Sequence, residues 1–170
     1  MKKIKTKTIS LYGFLTAAAL LFGYVEYLVP LNFIAPGVKL GFANGVFLLL
    51  LFLKKYKAAF LVNIVRILLS ALLFASPFSL VFSITAGLFS MFAMLLTVRC
   101  PKIGFVGVSV IGATVHNITQ LCVATVTVGH GVWYYLPFLV FAGVIAGVFI
   151  GVLTYLIFIR ISKTKLFIDL

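Results

Sequence analysis

Eight polar side chains stand where the surrounding sequence is almost wholly hydrocarbon: Glu26, Lys39, Asn44, Asn63, Arg66, His116, Asn117 and Gln120. Ionisable groups at membrane depth are costly and face a cavity or a partner. Lys39 and Arg66 are cations, and a guanidinium or ammonium suits carboxylate or phosphate. Glu26 is the one acid among them, so the set carries a positive excess and favours a small anionic or amphipathic ligand. Asn44, His116, Asn117 and Gln120 supply hydrogen bonds, and Gly41 lets backbone approach a ligand closely. Within Pro36–Asn44 the Pro-Gly pair breaks a helix just before Lys39.

Spacing groups these residues. His116 and Gln120 are i, i+4, and Asn117 and Gln120 are i, i+3, so the three share one broad helix face. Asn63, Arg66 and Ser70 form a similar stripe. At a rise of about 1.5 Å per residue, most of these groups fall in one half of a hydrocarbon layer about 30 Å thick. Bland readings compete at each position. Arg66 could simply pair with Glu26, the His116–Gln120 face could be interhelical glue, Lys39 an interfacial lysine and His130 a solvated loop residue.

The elements that must position them are membrane helices. The chain has 170 residues, is 64% hydrophobic and has a mean hydropathy of +1.30. No soluble domain of this size is so apolar. Apolar runs cover residues 9–29, 40–53, 58–75, 80–98, 103–128 and 133–159. The second is short unless its helix starts near Gly37. None shows the alternation of a membrane barrel. The expected fold is an all-α polytopic membrane protein of six transmembrane helices. A cytoplasmic basic tail (residues 1–8) and a cytoplasmic tail (161–170) flank one membrane domain (9–160). The first run is as long as a full span, which argues against a cleaved leader.

The net charge is +12, from 14 Lys+Arg against 2 Asp+Glu. All the basic residues except Lys39 and Arg66 fall in the N-terminal tail, in the gaps at Lys54–Lys57 and Arg99–Lys102, and at Arg160–Lys165. By the positive-inside rule both termini are cytoplasmic. Lys39 then faces outside, where topology does not account for it, and the candidate pocket opens outward. Trp133, Tyr134 and Tyr135 read as an interfacial aromatic belt. No basic run carries interleaved aromatics on a soluble face, so no nucleic-acid partner is expected.

No Gly-x-x-x-x-Gly-Lys-Ser/Thr loop is present, so this chain is not expected to hydrolyse ATP. The acids are Glu26 and Asp169, too few to hold magnesium or complete a catalytic triad. Cys100 and Cys122 have no metal-type spacing partner. No catalysis, metal or cofactor is expected. A second pattern concerns packing. Gly143, Gly147 and Gly151 stand at i, i+4, i+8, which lets another helix approach closely, within the chain or in a separate subunit. The first run carries Gly13-xxx-Ala17 and Ala19-xxx-Gly23.

Four stretches carry a family resemblance: Glu26-Tyr27, Pro36-Gly37-Val38-Lys39-Leu40-Gly41-Phe42-Ala43-Asn44, Val65-Arg66-Ile67-Leu68 and His116-Asn117-x-x-Gln120. Over roughly residues 9–160 the chain resembles the Gx transporter family, also catalogued as heptaprenyl diphosphate synthase component I. That family is similar to the substrate-binding S components of energy-coupling factor transporters. The resemblance implies an outward pocket, a transmembrane coupling subunit and two cytoplasmic ATPases as partners. In S components small residues of Ala-x-x-x-Ala type on helix one dock the coupling subunit; Gly13, Ala17, Ala19 and Gly23 approximate that pattern here. The catalogue name instead implies a membrane accessory role in prenyl diphosphate synthesis. Chain extension itself needs a diphosphate held by magnesium on aspartates, and this sequence has no such cluster. A stand-alone secondary transporter is a third option, disfavoured by the lack of a sequence repeat.

Overall fold

A computed structural model describes residues 6–28, 43–74 and 77–162. Among them are six α-helices and no strand: α1 (Thr6–Leu28), α2 (Asn44–Phe52), α3 (Tyr56–Phe74), α4 (Pro77–Thr97), α5 (Phe105–Val128) and α6 (Leu136–Ser162). A short 3-10 helix, His130–Tyr135, leads into α6. The helix boundaries follow local chemistry. Pro77 opens α4, where a missing N–H is harmless. Gly129, at φ 109°, ends α5 in a conformation open to glycine and strained for other residues. Leu136-Pro137 starts α6.

Three segments are long and apolar enough to cross a membrane: Leu80–Thr97, Phe105–Thr127 and His130–Ser162. Ile9–Val25 is a shorter apolar helix. Their outward faces carry large apolar side chains, among them Phe14, Leu21, Phe89, Phe92, Phe141 and Phe149. In water such a surface would be an extended sticky patch; in a bilayer it meets lipid. Cys122 also lies on an exposed face and, like Cys100, is free.

The second apolar run, expected over residues 40–53, is described from residue 43; its helix α2 covers nine residues, roughly 13 Å. It is also the centre of the molecule. Val46, Phe47, Leu48, Leu49, Leu50 and Leu51 are all buried, and α2 touches each of the other five helices. A helix apolar on every side belongs inside a bundle. Around it, α1 packs on α3, α3 on α4, α4 on α5 and α5 on α6. Among the described residues α1 makes no helix contact with α6. The ring is open there, and Phe22, Gly45, Leu49, Leu153 and Ile157 line an apolar cleft.

The turn after α2 is a Schellman-type cap. Lys55 N–H donates to Leu50 C=O at 3.0 Å and Lys54 N–H to Leu51 C=O at 2.9 Å. Lys54 occupies the left-handed position at φ 57°, the one positive-φ non-glycine among the described residues.

The α5–α6 contact explains the glycine stripe of α6. A Cβ on Gly147 would lie 2.6 Å from Val110 Cα, and one on Gly151 2.7 Å from Val106 Cα. A Cβ on Gly143 would sit 3.3 Å from Thr114 Cα. These glycines take α5 of the same chain as their partner, so this face is not free to dock a separate subunit. The reason is the backbone-to-backbone approach, which any side chain would hold apart. The small residues of α1 divide. Ala19 is buried, and Gly23 faces Ser70 of α3, its Cβ position 3.8 Å from Ser70 Oγ. Gly13 has open space at its Cβ position and Ala17 is exposed.

Candidate functional site

Phe52, at the end of α2, stacks on Phe105, at the start of α5. That contact gives the helices a common level at the basic end of the bundle. Counting up from it, Arg66 lies about 15 Å and Ser70 about 21 Å along α3. His116, Asn117 and Gln120 lie about 16, 18 and 22 Å along α5. α2 stops at Asn44, about 12 Å up, so it ends below all of them. Its N-terminal end, carrying the positive end of the helix dipole, points toward that polar level.

On α3, the Arg66 guanidinium (Nη2) donates to Asn63 Oδ1 at 2.9 Å. Asn63 is buried, and its Nδ2 donates to the Met91 thioether of α4 at 3.6 Å. Arg66 is thus held by a neighbour one turn back, an i, i+3 arrangement. Asn63 belongs with the site although its expected role was only as part of the stripe. The signal was present in Asn-x-x-Arg. Ser90 of α4 gave no signal beyond being a hydroxyl. It is buried and donates to Gly112 C=O of α5 at 2.8 Å, tying α4 to α5.

On α5, His116, Asn117 and Gln120 are all buried. Their situations differ. Asn117 Nδ2 donates to Leu139 C=O of α6 at 2.9 Å. Gly143 makes that possible, since a Cβ there would sit 3.0 Å from Nδ2. The Asn117 amide nitrogen is therefore engaged in holding α6. Gln120 is 3% exposed, yet among the described residues neither Nε2 nor Oε1 has a hydrogen-bond partner. Ser70 Oγ on α3 and Thr114 Oγ1 on α5 are buried in the same state. Buried polar groups are nearly always paired, and each one that is not calls for a reason.

The stripes on α3 and α5 are not on adjacent helices. Among the described residues α3 and α5 make no helix contact, while α4 contacts both. Arg66 and the His116–Gln120 face therefore look toward the bundle interior from different sides. Asn44 is half-buried at the start of α2. Lys39 and Gly41 lie outside the described residues; Glu26 is in the last turn of α1, but its side chain lies outside them too. The structure therefore places Asn44, Arg66, His116, Asn117 and Gln120 of the expected binding set.

Long apolar helices around a short buried one, with several buried polar side chains above its end, define a helical membrane protein. The chain belongs to the heptaprenyl diphosphate synthase component I family, which it matches over residues 15–157. No curated protein and no solved structure matches it.

Proposed function

We propose that this chain is the substrate-binding membrane subunit of an energy-coupling factor type importer in a bacterial cytoplasmic membrane. It captures a small anionic or amphipathic solute from outside, of the kind represented by a vitamin or a quinone or isoprenoid precursor. The observation that carries this reading is Gln120, buried with both amide atoms unpartnered beyond the end of α2. A ligand's polar groups would complete it. Arg66, and Lys39 from the sequence, would neutralise the ligand's charge; Asn44, His116 and Gln120 would orient it. The chain itself is not an enzyme on this reading. Energy would come from two cytoplasmic ATPases through a transmembrane coupling subunit. The exposed Gly13–Ala17 edge of α1 is the part of the small-residue pattern still open to such a subunit.

The test is to purify the protein, identify any co-purified solute, and measure its binding to wild type, Lys39→Ala and Arg66→Ala. Removing a charge-assisted contact costs about 1.5–3 kcal/mol, so each variant should bind roughly ten-fold or more weakly. Unchanged affinity in both would overturn the site.

The family's name favours a second reading, a membrane accessory component of heptaprenyl diphosphate synthase. It predicts that a soluble prenyltransferase is pulled down with this chain and changes activity when the chain is removed. Recovery of ATPase and coupling subunits alone would decide for the first reading.

A further inference from the structure

Three segments distant in sequence end on one aromatic cluster. Phe52 stacks on Phe105 with ring centroids 3.6 Å apart. Phe105 also meets Tyr155 at 5.5 Å and Phe158 at 5.0 Å. The cluster joins the end of α2, the start of α5 and the end of α6. It therefore gathers the cations next to those rings: Lys54 and Lys55 after Phe52, Arg99 and Lys102 before Phe105, and Arg160 after Phe158. All but the half-buried Lys55 are exposed. The chain's acids are Glu26 and Asp169. Glu26 is at the far end of α1, and Asp169 lies outside the described residues. Among the described residues, no carboxylate of this chain stands near the cluster.

Lys54 adds an independent observation. It sits at the left-handed position of the α2 cap, where glycine is the usual and least strained residue. A lysine there makes the turn harder to form and gives the surface a charge.

We propose that this end of the bundle binds the headgroups of anionic phospholipids, with Lys54 and Arg160 among the phosphate-contacting cations. The surroundings favour a lipid over a soluble acidic protein. Three of the cations lie within about a turn of exposed apolar side chains: Tyr56 beside Lys54, Leu96 beside Arg99, Leu156 beside Arg160. Leu156, Ile157, Ile159 and Ile161 line an open groove together with Arg160, so a cation and apolar side chains share one surface. A phosphate carried on acyl chains matches that juxtaposition. The connections Leu53–Lys55 and Val98–Gly104 are short, which keeps their cations close to the helix ends.

The test is thermal unfolding of the full chain in neutral detergent, titrated with phosphatidylglycerol, phosphatidylcholine, inorganic phosphate or a polyglutamate peptide. Phosphatidylglycerol alone should raise the melting temperature, and about 0.5 M salt should erase the shift. Lys54→Gly should raise the melting temperature without lipid, yet weaken the apparent phosphatidylglycerol affinity about five-fold. Lys54→Asn, which tolerates the left-handed conformation, should weaken it equally, and Arg160→Gln likewise. Equal stabilisation by phosphatidylcholine overturns the proposal, as does an equal effect of inorganic phosphate. So does a response to polyglutamate without one to phosphatidylglycerol, or an undiminished lipid response in all three variants.

Discussion

Asn117 and Gln120 sit one turn apart on the same helix and do opposite things. The Asn117 amide makes an interhelical bond to the α6 backbone, while the Gln120 amide is buried with none. Substitution should separate them by sign. Asn117→Leu breaks a bond worth about 0.6–1.5 kcal/mol and crowds Gly143, so the melting temperature of the ligand-free protein should fall. Gln120→Leu removes an unmet polar group whose burial costs about 1–3 kcal/mol. Thermal unfolding without ligand should show it unchanged or raised, with loss of ligand binding. A drop as large as that of Asn117→Leu would make Gln120 part of the frame. The sequence placed both residues on one face, because i, i+3 spacing decides that. It left their roles undivided, because the Leu139 carbonyl that separates them comes from another helix. Ser90 is the same case: its link to Gly112 C=O depends on the approach of α4 to α5. Ser90→Ala should cost about 0.6 kcal/mol, read in the same unfolding assay.

At the scale of the helices, close packing rather than a hydrophobic drive holds the bundle, since lipid tails are as apolar as leucine. That makes the small residues decisive. Gly147→Ala places a methyl against the Val110 backbone, which has no rotamer to yield. It should destabilise by about 1–3 kcal/mol and loosen α6 from α5, seen as faster proteolysis or amide exchange there. Gly13→Ala, where the Cβ position is open, should leave stability unchanged. The central helix is sensitive in a different way. Leu50 is fully enclosed, and Leu50→Ala leaves a cavity costing about 2–5 kcal/mol. The glycine period was legible as a close-contact face. Which helix filled it was not, because α5 is brought there by the chain's path around α2.

For the whole molecule, the sequence by itself determined the class. A mean hydropathy of +1.30 and apolar runs punctuated by basic gaps leave only helices in a bilayer, since every backbone polar group must be satisfied without water. Number of helices, approximate bounds and the basic end all follow from that local arithmetic, as does the family, whose match over residues 15–157 depends on sequence alone. The tertiary structure decided what depends on which helices meet. It set α2 at the centre, where burial on every side explains its unbroken apolar run. It turned the α6 glycines inward onto α5 and divided the α1 small residues, with Ala19 buried, Gly23 half-buried against α3, and Gly13 and Ala17 exposed. It set Arg66 and the His116–Gln120 face on helices that make no contact with each other among the described residues, both farther from the basic end than the start of α2. Hydrophobicity and spacing are properties of a segment and can be read from it. A polar side chain's partner is a property of the neighbouring segment, and only the assembled bundle supplies it.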